Sequence, residues 1–128
     1  MSLLTKMGDL LYFQDHKNKA EIWYRRALEL NPEESRTLNN LAWLLTETHN
    51  DDQKRLKESI ELAQKALEGK KTAFIWDTLA EAYLMNGLYD KAAEASHNAL
   101  ESAEEDNGIS VEADLDYYNK RFKHMAGE

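Results

Sequence analysis

Apolar residues recur every three or four positions along almost the whole chain, with polar residues between them. That spacing is the signature of amphipathic helices. It predicts helices over about residues 3–14, 18–30, 33–47, 54–68, 73–86, 89–103 and 110–125, and no strand. Pro32 fits the first turn of the third helix, where its missing N–H costs nothing. Gly69 and Gly87 read as helix C-terminal stops, and Ser110 as the N-cap of the last helix.

The pattern also repeats at longer range. Leu4-x-x-Met7-Gly8-x-x-Leu11 is written again as Leu38-x-x-Leu41-Ala42-x-x-Leu45 and as Trp76-x-x-Leu79-Ala80-x-x-Tyr83. The helix that follows each carries Ala20-x-x-x-Tyr24-x-x-Ala27, then Ser59-x-x-x-Ala63-x-x-Ala66, then Ala92-x-x-x-Ser96-x-x-Ala99. Gly8 and Ala42 are 34 positions apart and Ala42 and Ala80 are 38, the excess falling in the polar turn THNDDQKRLK. Small residues at Gly8, Ala42 and Ala80 let a partner helix approach closely, and Ala20, Ser59 and Ala92 are expected to face them. A hairpin of this kind leaves an apolar face open, which the next hairpin covers. Trp76 and Tyr83 belong to that packing. The last helix differs. Val111, Leu115, Tyr118, Phe122 and Met125 form one stripe, expected to bury near Leu100 as a terminal cap, with Lys120, Arg121 and Lys123 toward water.

Three such hairpins resemble the tetratricopeptide repeat, a helix-turn-helix unit of 34 residues. Trp76, Leu79, Ala80, Tyr83, Gly87, Tyr89, Ala92 and Ala99 fall on the family pattern, and the first copy adds Gly8, Ala20, Tyr24, Ala27 and Pro32. The second copy departs most, lacking the aromatics and carrying Ser59 and the insertion. The resemblance covers about residues 3 to 104 and implies an all-α, right-handed superhelix of three hairpins with a seventh helix. The expected division is 1–108 in three repeats (about 1–34, 35–72 and 73–108) and 109–128 as the capping helix.

Composition narrows the chemistry. With no cysteine among 128 residues, disulfides, thiolate catalysis and cysteine-based zinc sites are excluded. The net charge of −8 argues against a nucleic-acid ligand, which needs a basic face. No run reaches the length of a membrane span and no signal peptide opens the sequence, so no membrane association is expected and a cytoplasmic location is favoured. Residues 101 to 116 hold seven acids and no Lys or Arg, which reads as a solvated acidic loop. His16, His49, His97 and His124 are not at metal-ligand spacing on one helix face. There is no phosphate loop and no nucleophile elbow. No enzyme activity, metal or cofactor is expected.

What remains is binding. The resemblance implies that the first helix of each pair lines a concave surface. The inward stripe is then Thr5, Lys6, Asp9, Tyr12 and Phe13; Arg36, Asn39, Asn40, Trp43 and Glu47; and Phe74, Asp77, Thr78, Glu81, Leu84 and Met85. Of these, Tyr12, Phe13, Asn39, Asn40, Trp43, Phe74, Asp77, Glu81, Leu84 and Met85 are the candidate peptide-binding residues. One branch of the family grips terminal carboxylates with Lys, Asn and Arg side chains. The matching positions here are Thr5, Asp9, Asn40, Phe74 and Thr78, and only Asn40 fits. The acids Asp9, Asp77 and Glu81 would repel an anionic tail, so a hydrophobic or basic-amphipathic peptide is the expected ligand and a protein the expected partner. The alternative is a structural or self-associating segment of a larger repeat protein. Leu3, Leu4, Met7, Leu10 and Leu11 begin at once with no preceding cap, so either a second copy covers this face in a homo-oligomer or the chain is cut from a longer array.

Overall fold

The structure, a computed structural model, describes residues 2–48, 51–105 and 112–127, and the side chains of all of these except 105 and 112–115. The helices are α1 (Leu3–Phe13), α2 (Lys17–Leu30), α3 (Ser35–Thr48), α4 (Gln53–Gly69), α5 (Ala73–Met85), α6 (Tyr89–Glu105) and α7 (Glu112–Met125), and the described residues contain no strand. Side chains start three of them: Ser2 accepts from Thr5 N, Asp52 from Lys54 N and Arg55 N, and Thr72 from Ile75 N. Such a cap contributes about 1 kcal/mol. The expected cap Ser110 and the stripe residue Val111 lie outside the described residues, as do His49 and the side chain of Leu115.

Two turns share one geometry. After α5, Gly87 N donates to Leu84 O and Leu88 N to Tyr83 O, with Gly87 at φ +75°. After α1, Asp15 N donates to Tyr12 O and His16 N to Leu11 O, with Asp15 at φ 63°. Both are left-handed Schellman stops, so Gly87 ends α5 as expected. Gly69 closes α4 for another reason. A Cβ there would lie 2.3 Å from Ser35 Oγ, so a larger residue would require the Ser35 hydroxyl at the start of α3 to rotate away. Pro32 does not enter α3. Glu34 N bonds back to Asn31 O, placing Pro32 second in a turn before the helix begins at Ser35.

The helices pair in sequence, α1 with α2, α3 with α4 and α5 with α6, and successive pairs stack through α2–α3, α4–α5 and α3–α5 contacts. The small residues sit where these helices meet: Ala20, Ala42, Ser59, Ala80, Ala92 and Ala99 are fully buried. A Cβ on Gly8 would stand 2.5 Å from the ring of Tyr24, so the first hairpin uses a glycine where the others use alanine. The central cluster joins Leu38, Ala42, Ala63, Ala66, Ile75, Leu79, Ala80 and Ala92, with Trp76 and Tyr83 half-buried against it. Thr5 leaves the expected inward stripe. Its hydroxyl lies 2.7 Å from that of Thr37, a buried bond that joins α1 to α3. Outside the core, Arg25 forks onto Glu58 at 2.8 and 2.9 Å while Glu21 takes bonds from both Arg25 and Arg55, tying α2 to α4.

Helix α7 lies on α6. Tyr118 buries among Ala73, Ala99 and Ala103 beside Leu100, Met125 reaches the central cluster, and Phe122 meets the His97 ring at 5.1 Å. Lys120 and Lys123 are exposed, but Arg121 is not. Its side chain is 19% exposed and turns back toward α5. Among the described residues no helix is long and apolar enough to cross a membrane.

Candidate peptide-binding groove

Helices α1, α3, α5 and α7, with Tyr24 of α2, line an open cavity of about 370 Å³. Its walls carry Tyr12 and Phe13 from α1, Asn39, Asn40 and Trp43 from α3, and Phe74 and Asp77 from α5. Each comes from the first helix of its pair. Phe13 and Phe74 are 82% and 72% exposed, which is unusual for side chains of this size. Glu81 does not line the cavity but engages Arg121 beside it. Leu84 and Met85 lie one turn further along α5, outside the cavity, with Leu84 packed on the central core.

Polar groups hold the walls in place. Asp9 Oδ1 accepts from Tyr24 Oη at 2.6 Å and from Asn40 Nδ2 at 2.8 Å, and Arg36 Nη2 stands 3.7 Å from Oδ2. Burial, and then the neighbouring Asp9, hold the Tyr24 phenol well above its ordinary pKa. Tyr12 donates to Glu47, and burial together with that carboxylate pushes its pKa up to about 12. Asn39 also lines the cavity, and its buried Oδ1 finds no partner among the described residues.

The third hairpin is where the sequence expectation needs correcting. Asp77 and Glu81 are not free acids. Arg121 Nε donates to Asp77 Oδ1 at 3.1 Å, Arg121 Nη2 to Glu81 Oε2 at 2.7 Å, and Tyr117 Oη to Asp77 Oδ2 at 3.1 Å. Burial disfavours the Arg121 cation, but the two carboxylates outweigh it and hold its pKa above the usual value. Burial, followed by Asp77, raises the Tyr117 phenol as well. Tyr117 and Tyr118 complete the cavity wall from α7. Sequence reasoning missed this contribution. The one signal was the four-residue spacing of Tyr117 and Arg121, which puts both on the edge of the apolar stripe. Among the described residues no three His, Cys, Asp or Glu side chains are grouped to hold a metal ion.

A family model described as tetratricopeptide repeat matches residues 7–113. This chain belongs to the tetratricopeptide repeat family. The match spans all three hairpins. A comparison with curated proteins returns no match. Among solved structures, the tetratricopeptide repeat domain of Sgt2 from Aspergillus fumigatus superposes with a TM-score of 0.70 at 22% identity, over 98% of this chain and 80% of that one. MamA, from residue 41 to its end, of Desulfovibrio magneticus RS-1 gives 0.66 at 16% identity, over 97% of this chain and 72% of that one. At these identities the likeness establishes the all-α superhelical fold. Tetratricopeptide repeats are protein–protein interaction scaffolds, and this chain shares that architecture.

Proposed function

We propose that this tetratricopeptide repeat protein binds a hydrophobic or basic-amphipathic peptide segment of a protein partner in its concave groove. The supporting observation is a cavity of about 370 Å³ with Phe13 and Phe74 exposed beside Tyr12 and Trp43. Exposed aromatics around a preformed concavity are the usual anchors of a peptide interface. Asp9 stands where a carboxylate-gripping groove needs a neutral donor, so an acidic tail is disfavoured. In this reading residues 1–34, 35–72 and 73–108 are the repeats and 109–128 is a capping helix. No catalytic role or cofactor is assigned, since Asp9 and Asp77 hold the walls together.

The test is titration with an amphipathic helical peptide bearing Lys or Arg and, separately, with an acidic C-terminal tail. Trp43→Ala should weaken the first at least tenfold, about 1.4 kcal/mol. Tight binding of the acidic tail, unchanged by Trp43→Ala, would refute the reading. A second reading, self-association, rests on a different surface: Leu3 and Leu10 are 73% and 52% exposed on α1.

A further inference from the structure

Helix α7 has the composition that the groove reading asks of a partner. Tyr117, Tyr118, Phe122 and Met125 stand among Lys120, Arg121 and Lys123. Its contacts divide into two sets. The apolar set, Tyr118, Phe122 and Met125, meets α6 and the core. The polar set, Tyr117 and Arg121, hydrogen-bonds to Asp77 and Glu81 on α5. One guanidinium and one phenol thereby occupy Asp77 at the cavity wall and Glu81 beside it.

We propose that α7 is an intramolecular occupant of the acidic end of the groove, displaced there by a helical partner segment carrying an aromatic residue and an arginine four positions apart. The proposal rests on the groove reading above. The exchange is balanced in kind. A partner arginine remakes on Asp77 and Glu81 the charge-assisted bonds that Arg121 gives up, and a partner aromatic replaces Tyr117. Released, Arg121 and Tyr117 go to water, and Tyr117 is already 47% exposed. Because Tyr118, Phe122 and Met125 hold α7 on Ala73, α6 and the central cluster, the Arg121 and Tyr117 side chains can let go of Asp77 and Glu81 while α7 still covers the third hairpin. The decision then falls to apolar burial on Phe13 and Phe74, which are uncovered while α7 is docked. A groove that must first release its own arginine binds more weakly by the fraction of molecules in which it is open.

The experiment uses the full chain and two synthetic amphipathic helices, one with Tyr and Arg four residues apart and one with that Arg replaced by Gln. Arg121→Gln should tighten the Arg-bearing peptide at least tenfold and the Gln-bearing peptide less than threefold. Adding Glu81→Gln to that variant should remove the gain. Should Arg121→Gln fail to fold, Arg121→Lys carries the test, since an ammonium cannot bridge both carboxylates as the fork does; a gain of at least threefold supports the proposal. An Arg-bearing peptide that binds the Arg121 variants no better, or worse, makes α7 a wall of the site and overturns the proposal. In that outcome Trp43→Ala still weakens both peptides. Failure of Trp43→Ala to affect either peptide is instead the failure of the groove reading itself.

Discussion

Adding one methyl group at Gly8 should destabilise this protein even though alanine is the better helix former. Gly8 lies inside α1, where Gly→Ala ordinarily gains about 1 kcal/mol. Here the new Cβ would stand 2.5 Å from Tyr24 Cε1, 2.6 Å from Cδ1 and 3.1 Å from Cζ. The ring cannot easily move aside. Tyr24 is 2% exposed, and its hydroxyl is tied to Asp9 at 2.6 Å. Overpacking of this kind costs about 1–3 kcal/mol from strain alone, and a rigid ring places the cost at the upper end. Net of the helix gain, Gly8→Ala should lose about 1–2 kcal/mol, or roughly 3–10 °C in Tm for a domain of this size. The other hairpins show the alternative solution: Ala42 and Ala80 stand at the Gly8 position, and Ala63 and Ser96 replace Tyr24. In a Tyr24→Ala background, Gly8→Ala should therefore be neutral or stabilising. Thermal and urea unfolding of the four proteins gives the coupling energy directly. If Gly8→Ala alone raises Tm, the close approach of α1 to the Tyr24 ring is not what requires the glycine.

Asp15 occupies the left-handed position that Gly87 fills after α5, so Asp15→Gly should stabilise by about 0.5–1 kcal/mol, read as a higher Tm; its 3.9 Å pair with Lys17 is too exposed to oppose this. In the Arg25–Glu21–Arg55–Glu58 network, burial raises the Glu21 pKa but Arg55 and Arg25 outweigh it, and the Arg25 fork lowers that of Glu58. Both carboxyls are depressed in the folded chain, so their contribution is present above the ordinary value of 4.5 and is lost as pH falls through the folded value. Melting curves between about pH 3 and 6 should fall with acid, and less steeply for Arg25→Gln; equal slopes would remove the network from the account. If a second copy covers the α1 face, sedimentation should show a dimer that Leu3→Lys with Leu10→Lys returns to monomer, whereas a monomer unchanged by both substitutions excludes self-association there.

Helical periodicity alone located the seven helices of the described residues, because one face of each must be apolar in any compact arrangement of this chain. Their ends fall within two residues of the expected ones, apart from the start of α7, where 110 and 111 lie outside the described residues. The small residues were equally legible. Ala20, Ala42, Ser59, Ala80 and Ala92 recur in register because helix crossings recur, and all five are fully buried. The groove was legible only in part. Tyr12, Phe13, Asn39, Asn40, Trp43, Phe74 and Asp77 line one cavity because side chains flanking a core stripe share one face of the stack. Periodicity states that a side chain leaves the core; it does not state what the side chain meets. Thr5 was expected in the groove and found Thr37, and Arg121 was expected in water and found Asp77 and Glu81. Gly69 shows the same limit, since only the structure reveals that it meets the Ser35 hydroxyl, 34 positions earlier. Partners this distant in sequence are set by how helices rotate and lean on one another, and that is decided when the whole core packs.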